Sequence, residues 1–491
     1  MRLRQHPTPR RETVESTMAS ESDTSSSPDS SDSTGSASSE LDFSLIDQLI
    51  AVKDRTTGTD SALKRMDRDI GHAPLLSDDI VTSQSKDLVP QCAFLGTFKE
   101  DSDASVTRIF QNTNEPFSTF ICGVQGSGKS HTTAVMLENA LVASDHLGRL
   151  REPVSALVFS YGDFSIGGLG FNISEAAFLA AEKEGFKDHE VKKLTVLRSA
   201  SNRAIETYYR RFPKVEIIPF KINAQALDVG TLLTLMAVDD KVEVPLYMAK
   251  IESILRDIAT KSKTGIFDYK LFKKKLEAAN FDQHQKRMLD QRLSLLESFL
   301  DVAGQAPEPQ FRQGEITIVD LSDPMVTAST ACILFKLCLG RFMQSSAPGK
   351  MVVLDEAHKY MLDNPGSLVL TEYLKTLIRL QRHKGARVIV STQEPTVSTD
   401  LIALCSTTII HRFTSPAWYA ALKKHINAMD DDKAIMEQIE GLETGEALIY
   451  SPTAVLGKND DGTLEKATGR LLKLNIRMRV TSDGGESVMA V

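Results

Sequence analysis

The sequence has 491 residues, of which 41% are hydrophobic and 6% aromatic, enough for the globular core of one large domain or two. No stretch approaches the ~20 consecutive apolar residues that a membrane-spanning helix requires, so no membrane partner is expected. The formal net charge is −8, and half of it comes from the first 42 residues. The near-neutral remainder gives no sign of bulk nucleic-acid binding, although a locally basic channel would not show in the total.

The first 41 residues are predicted to be a disordered tail. Residues 22–39 are almost all Ser, Asp, Thr, Pro and Gly, and such a segment cannot bury enough apolar surface to offset its ordering entropy. The first 11 residues carry four arginines, but Pro7 and Pro9 interrupt the amphipathic helix that a mitochondrial presequence needs. The five cysteines are scattered without a C-x-x-C pair, as expected of reduced thiols. We therefore expect an intracellular protein, cytoplasmic or nuclear.

Residues 42–89 show no clear pattern and are predicted as a linker or short helices. An ordered domain is expected over residues 90–475, followed by a C-terminal tail at 476–491. Short apolar runs of the type found in strands recur along this domain, at 92–97, 108–111, 118–123, 156–159, 193–197, 315–320, 351–354, 387–390, 407–411 and 446–450. Helical patterns alternate with them, which predicts an α/β fold with a mostly parallel sheet.

A helical insertion is predicted at about 224–310. Leu289, Leu293, Leu296 and Leu300 recur at spacings of four, three and four, as on one face of a helix. The same region contains a run of lysines at 273–275. These lysines are typical of a solvated helical face, and a nucleic-acid contact is the alternative interpretation.

Residues 123–130 read GVQGSGKS and match the phosphate-loop motif G-x-x-x-x-G-K-[ST] in full. The motif follows an apolar strand and opens a predicted helix at 129–142. In that context backbone N–H groups and the helix N-terminus bind phosphate oxygens, the lysine reaches the β- and γ-phosphates, and the hydroxyl of Ser130 binds Mg²⁺. The predicted nucleotide-binding residues are Gly123, Val124, Gln125, Gly126, Ser127, Gly128, Lys129, Ser130 and His131.

Two carboxylates follow the apolar run at 351–354. Asp355 is predicted to hold Mg²⁺ through water, and Glu356 to act as the base that polarises the attacking water during ATP hydrolysis. The letters DEAH at 355–358 invite a helicase interpretation. We reject it because the sequence contains a single phosphate-loop motif, whereas such helicases carry two tandem ATPase cores. The expected ligands are ATP and Mg²⁺.

A third polar position ends the apolar run at 387–390. Gln393 lies where a sensor of the γ-phosphate would sit, at the tip of a strand expected to neighbour the phosphate-loop strand. A strand-end glutamine that hydrogen-bonds within its own loop is the alternative.

Taken together, these motifs resemble those of the HerA/FtsK superfamily of ring-forming motor ATPases. The resemblance covers residues 117–450 and rests on the phosphate loop, the segments 217–223, 316–322 and 352–358, the QRHKG and VSTQ pieces between 381 and 393, and the LETGE turn at 442–446. It implies a RecA-like P-loop NTPase core, a homo-oligomer in the form of a hexameric ring, and translocation along DNA.

The resemblance also implies an arginine that completes the site of a neighbouring subunit. Arg382 occupies the matching position, eleven residues before Gln393, and Arg379 and Arg387 are rivals for this role. An ordinary surface arginine is the remaining alternative.

Some features depart from the family pattern. The sequence shows no N-terminal barrel of the HerA type, no winged-helix tail of the FtsK type, and no acidic residue directly after the run at 156–159. Short phrases at 112–117 and 477–485 also resemble a group of uncharacterised fungal P-loop proteins. The motifs therefore predict an ATPase, and the resemblance makes a DNA motor the leading function. The alternatives are an ATP-dependent switch and a remodeller of protein complexes.

Overall fold

A mixed β-sheet of 16 strands is the largest element among the described residues. The computed structural model describes residues 58–99, 106–162, 173–223, 232, 246–261, 267–302, 304–395 and 399–484. The tail predicted at 1–41 lies outside these residues, as do 42–57, part of the insertion, and 485–491.

The strands are β1 (Leu75–Ser77), β2 (Cys92–Lys99), β3 (Val106–Gln111), β4 (Ser118–Cys122), β5 (Gly148–Arg149), β6 (Ser155–Ser160), β7 (Lys193–Arg198), β8 (Val215–Pro219), β9 (Ile222–Asn223), β10 (Leu300–Asp301), β11 (Glu315–Asp320), β12 (Lys350–Leu354), β13 (Ala386–Thr392), β14 (Thr407–Ile410), β15 (Glu446–Tyr450), β16 (Val455–Lys458), β17 (Leu464–Lys466) and β18 (Leu472–Ile476).

The α-helices are α1 (Gly58–Gly71), α2 (Asp78–Ser83), α3 (Lys129–Leu141), α4 (Glu206–Tyr209), α5 (Leu246–Lys261), α6 (Tyr269–Ala278), α7 (Gln283–Phe299), α8 (Ala328–Gln344), α9 (Pro365–Arg379), α10 (Gln381–Lys384), α11 (Thr399–Leu404), α12 (Pro416–Lys423) and α13 (Asp432–Glu440). Short 3₁₀ helices cover Glu175–Ala180 and Ala357–Lys359. Every strand predicted from the sequence is present, with ends shifted by at most two residues.

One half of the sheet is parallel and the other is largely antiparallel. The order β14–β4–β13–β12–β6–β11–β7–β8 is parallel throughout. Beyond β14 the sheet continues as β15, β18, β2, β3 and β1, joined by antiparallel pairs. Because the carboxyl ends of parallel strands meet at one edge, the segments that follow β4, β6, β12 and β13 lie together there.

Apart from the edge strand β8, the parallel strands are buried on both faces, which explains their nearly continuous apolar sequences. In β4, Phe120 and Cys122 belong to the core on one face, whereas Ile121 belongs to the core on the other. Helices α8 and α9 contribute side chains to the first core, and α3 contributes to the second. Among the described residues, no helix is both long and apolar enough to cross a membrane.

The helical region at 224–310 contains α5, α6 and α7, with a two-stranded sheet of β9 and β10 at its base. Helix α7 begins at a capping box formed by Asp282 and Gln285. Leu289, Leu293 and Leu296 are buried, as their helical spacing predicts. Leu300 is also buried, but it belongs to β10 and pairs with Ile222.

The ordered chain extends beyond the predicted limits of 90 and 475 on both sides. Strand β1 joins the large sheet through β3 and β16, and Ile70, Leu76 and Ile80 form a small third core beside it. At the other end, the predicted tail is buried from Arg479 to Thr481. The C-terminal segment (477–484) is therefore part of the folded structure.

The C-terminal segment is attached to α3 through a buried carboxylate. Glu138 is fully buried and accepts hydrogen bonds from Arg477 Nη1 at 2.7 Å and from the Thr481 main-chain N–H at 2.9 Å. Arg479 is 1% exposed, and its Nη1 lies 2.6 Å from Glu175 Oε1. These contacts connect the helix that follows the phosphate loop with the last described residues of the chain.

Candidate nucleotide-binding site

The phosphate loop joins β4 to α3 and depends on three glycines in the left-handed region. The φ angles of Gly123, Gly126 and Gly128 are +153°, +73° and +107°. A Cβ atom on Gly123 would also lie 2.7 Å from the Cβ of His411, closer than any real contact allows. Backbone conformation thus requires glycine at all three positions, and the close approach of His411 also requires it at Gly123.

His411, directly after β14, packs against the phosphate loop and hydrogen-bonds the helix that follows it. Its Nδ1 lies 3.0 Å from the carbonyl oxygen of Glu446, and its Nε2 lies 3.0 Å from the hydroxyl of Thr132 on α3. A carbonyl can only accept, so the proton is on Nδ1, and Nε2 accepts from the threonine. Burial lowers the pKa of His411 to about 4. The hydrogen bond with the Glu446 carbonyl opposes this shift, and the charge of Lys129 adds to it. The imidazole is therefore neutral in the folded protein at neutral pH.

Lys129 is folded into the loop and only 3% exposed. Its Nζ donates to the carbonyl oxygen of Val124 at 2.9 Å. Burial lowers the pKa of the ammonium group, and the charges of Glu356 and Asp355 oppose that shift. An ammonium group that is bonded to one loop carbonyl and interacts electrostatically with two carboxylates can exchange that carbonyl for a phosphate oxygen.

The other predicted loop residues have different environments. The hydroxyl of Ser127 donates to the carbonyl of Val124 at 2.7 Å, so it stabilises the loop itself. Gln125 is exposed, and so is Gly126 at the loop tip. The Nε2 of His131 donates to a main-chain carbonyl in the C-terminal segment at 2.8 Å, so its side chain is engaged there and its backbone N–H is the group available to a phosphate.

Ser130 and Asp355 line the same small cavity, together with Glu175. Asp355 accepts a hydrogen bond from Ser174 Oγ at 3.1 Å, and burial, reinforced by the charge of Glu356, raises its pKa to about 6. Hydroxyl and carboxylate oxygens are the ligands that Mg²⁺ prefers, and this ion is usually bound by one or two carboxylates plus phosphates and water. The residues present therefore fit Mg²⁺. Among the described residues, there is no group of three or more His, Cys, Asp or Glu side chains that could hold a metal ion.

Glu356 and Gln393 are brought together at the ends of β12 and β13. The amide Nε2 of Gln393 donates to Glu356 Oε2 at 2.7 Å. Glu356 has φ +48° and ψ +47°, a left-handed conformation that is uncommon for a residue with a side chain. His358 lies beside both residues. Burial lowers its pKa, with the opposing charge of Glu356 as the second contribution.

Arg382 does not approach the phosphate loop of its own chain. It lies on α10, before β13 begins, and its Nε contacts Glu115 Oε1 at 2.9 Å with the side chain 63% exposed. Since β13 and β4 are parallel, this position is at the edge of the sheet opposite the loop, roughly 20 Å away at ~3.3 Å per strand residue. Arg387 is buried and bonded to the carbonyls of Thr113 and Asn114, and burial lowers its pKa to about 10. Arg379 is exposed at the end of α9.

The fold and the loop together define the class of protein. A phosphate loop between β4 and α3, a carboxylate-bearing β12, and one strand between β4 and β12 form the core of a RecA-like P-loop NTPase. The expected α/β fold with a mostly parallel core is confirmed, and the parallel order β14–β4–β13–β12–β6 is its basis.

Three solved structures are similar to this chain. VirB4 of Thermoanaerobacter pseudethanolicus is 13% identical, over 74% of this chain and 89% of that chain, with a TM-score of 0.45. The plasmid coupling protein TrwB, in complex with ADP and Mg²⁺, is 11% identical over 75% and 87% of the two chains, with a TM-score of 0.41. The genome packaging NTPase B204 from Sulfolobus turreted icosahedral virus 2, in complex with ATP-gammaS, is 11% identical over 71% and 95%, with a TM-score of 0.27. No family model and no curated protein matches the sequence.

Three residues near the site were not singled out by the sequence motifs. Ser174 hydrogen-bonds Asp355, His411 supports the loop, and His358 contacts Glu356 and Gln393. His411 had a detectable signal, because it is a polar residue at the end of an apolar strand, as Gln393 is. Ser174 had none, since it lies 181 residues from its partner.

Proposed function

We propose that the protein binds ATP at residues 123–131 and hydrolyses it. The observation that carries the proposal is the contact of Glu356 with Gln393 at 2.7 Å, beside a phosphate loop whose lysine interacts electrostatically with Glu356 and Asp355. A phosphate-binding loop alone would support nucleotide binding. A carboxylate held at the tip of the neighbouring strands adds the base that hydrolysis requires.

The side chains take distinct parts in this proposal. Lys129 and the loop N–H groups hold the phosphates, and Ser130 and Asp355 would hold Mg²⁺. The bound ion supplies charge stabilisation on the β- and γ-phosphate oxygens. Glu356 orients a water molecule and takes its proton as the water attacks the γ-phosphorus. The bond from that phosphorus to the β,γ-bridging oxygen breaks, and ADP leaves. Gln393 fixes the carboxylate and contacts the phosphate.

The test of hydrolysis is Glu356→Gln. The amide keeps the shape and the contact with Gln393 but cannot accept the proton, so kcat should fall by about 10²- to 10⁴-fold. ATP affinity, measured by titration, should remain. Glu440→Gln on α13, an exposed glutamate, is the matched control and should leave the rate unchanged. Wild-type turnover in Glu356→Gln would assign the water-activating role to another group.

We further propose that the ATPase is an oligomeric motor acting on DNA. The support is the ordered set of motifs that resembles the HerA/FtsK superfamily, together with exposed lysines on α6 of the insertion, including Lys270 and Lys274. Single- or double-stranded DNA should then raise the ATPase rate, and DNA binding should weaken steeply with salt because phosphate contacts release counterions. An ATPase that no nucleic acid stimulates at low salt would instead favour a switch or a remodeller of protein complexes.

A further inference from the structure

His358 lies beside Glu356 and Gln393 but has no part in the roles assigned above. It belongs to the 3₁₀ helix Ala357–Lys359, which follows Glu356 immediately. Its side chain is 17% exposed, so it is mostly buried between the ends of β12 and β13. Charged groups that act on it are Glu356, Lys359 and Glu394, and also Lys129 from α3.

The contacts of the imidazole define its tautomer. The main-chain N–H of Gln393 donates to His358 Nδ1 at 3.3 Å, so Nδ1 is unprotonated and Nε2 carries the hydrogen. That Nε2 lies 3.5 Å from Glu356 Oε2, the same oxygen that accepts from the Gln393 amide at 2.7 Å. The three residues form a closed set of contacts in which the carboxylate faces two N–H donors.

Glu356 needs such contacts because its backbone is in an unfavourable region. The left-handed conformation is unfavourable for a non-glycine residue, and it persists only where its surroundings hold it. The side chain of Gln393 holds the carboxylate from β13, while His358 holds both the carboxylate and the main chain of Gln393. Loss of the imidazole would therefore loosen Glu356 and Gln393 at once.

We propose that His358 is a positioning residue for ATP hydrolysis, which sets Glu356 relative to Gln393 through its two ring nitrogens. The inference rests on the proposed ATPase activity. It assigns no contact with the nucleotide, so ATP affinity should not depend on His358. It predicts that the contribution of His358 to the rate acts through Glu356 and disappears when Glu356 cannot serve as a base.

The experiment compares His358→Ala, His358→Asn and His358→Gln by steady-state kinetics. Displacements of about 1 Å at a catalytic group cost on the order of 10²-fold, so His358→Ala should lower kcat by about 10- to 100-fold and leave KM within about twofold. The Asn amide reaches the position of Nδ1 and can accept from Gln393, and the Gln amide reaches that of Nε2 and can donate to Glu356. Each should recover part of the lost rate. His425→Ala, another half-buried histidine, is the control and should be unaffected.

A second arm uses single-turnover rates in the Glu356→Gln background. There, adding His358→Ala should change the rate by less than about twofold, because residues that act as a unit are not additive. Full additivity would overturn the inference, as would a kcat within about twofold of wild type for His358→Ala alone. A large fall in melting temperature in all three variants, without rescue by Asn or Gln, would show a purely structural role. If the wild-type protein does not hydrolyse ATP, the proposed function fails, and this inference fails with it.

Discussion

At the scale of single residues, the site combines buried ionisable groups with opposite effects on stability. His411 is fully buried and neutral, with a pKa lowered to about 4. Asp355 has its pKa raised to about 6. Between pH 4 and 6 the folded protein therefore binds a proton at Asp355 but not at His411, so acid stabilises the fold through the first residue and destabilises it through the second.

The contribution of His411 can be isolated with His411→Asn. The unfolded histidine has a pKa of about 6.5, so below that pH the unfolded chain takes up a proton that the folded chain refuses. Stability present at pH 7 is then lost as the pH falls towards 4, by up to about 3 kcal/mol. The difference in free energy of unfolding between wild type and His411→Asn should shrink by about this amount from pH 7 to pH 4 in urea titrations.

The Asn amide can still donate to the Glu446 carbonyl, which keeps the variant close to the native arrangement. His146→Asn, on an exposed histidine, should show no such pH-dependent difference. A difference for His411→Asn that stays constant across this pH range would mean that the folded histidine takes up its proton over the same pH range as the unfolded one.

At the scale of elements, buried ion pairs and hydrogen bonds, and not strand pairing, attach the C-terminal segment to α3. Glu138 accepts hydrogen bonds from the guanidinium of Arg477 and from the hydroxyl and main-chain N–H of Thr481. Arg479 forms an ion pair with Glu175, which lines the same cavity as Ser130 and Asp355. A buried pair of this kind is weak evidence for net stability, but removal of one partner leaves an uncompensated charge.

Glu138→Ala should therefore lower the free energy of unfolding by about 3–5 kcal/mol, because Arg477 would remain buried without its counter-ion. Chemical denaturation measures this loss. Glu437→Ala removes an exposed glutamate that contacts Lys433 at 3.9 Å, and it should change stability by less than about 0.5 kcal/mol. A loss below about 1 kcal/mol for Glu138→Ala would show that water or a rearranged segment compensates the arginines.

At the scale of the whole molecule, the position of Arg382 bears on the proposed ring. The residue lies at the edge of the sheet opposite its own phosphate loop, with an exposed side chain and one ion pair to Glu115. An arginine there cannot serve the nucleotide of its own chain. The proposed role in a neighbouring subunit is compatible with this position, since the guanidinium suits charge on a γ-phosphate.

Arg382→Ala should keep ATP affinity and lose about 10³- to 10⁵-fold in hydrolysis if the arginine completes a neighbour's site. The decisive measurement mixes Arg382→Ala subunits with Glu356→Gln subunits, each nearly inactive alone. In a mixed oligomer some interfaces pair an intact arginine with an intact glutamate, so activity should partly return. Arg379→Ala, tested in the same way, discriminates between the two exposed arginines.

Co-assembled mixtures that remain as inactive as their parents would exclude an action of Arg382 on a neighbour. A protein that stays monomeric with ATP while hydrolysing at the full rate would exclude the ring as a requirement for activity.

The sequence alone determined the features that depend only on residues close together along the chain. Apolar runs bounded by polar residues predicted the strands, and the spacing of GVQGSGKS after one of them predicted the loop, because both arise from local backbone geometry. Strand ends then indicated Asp355, Glu356 and Gln393 as site residues. Their roles in catalysis stay predictions.

Only the tertiary structure decided which of these groups meet. The contact between Glu356 and Gln393 exists because β12 and β13 are neighbours in the sheet, and the position of His358 follows from the same pairing. Arg477 and Glu138 are 339 residues apart, so no local sequence pattern near either residue predicts their contact. Long-range burial of this kind depends on how strands are ordered and helices packed, which no local pattern encodes, whereas the loop needed only its own glycines and the strand before it.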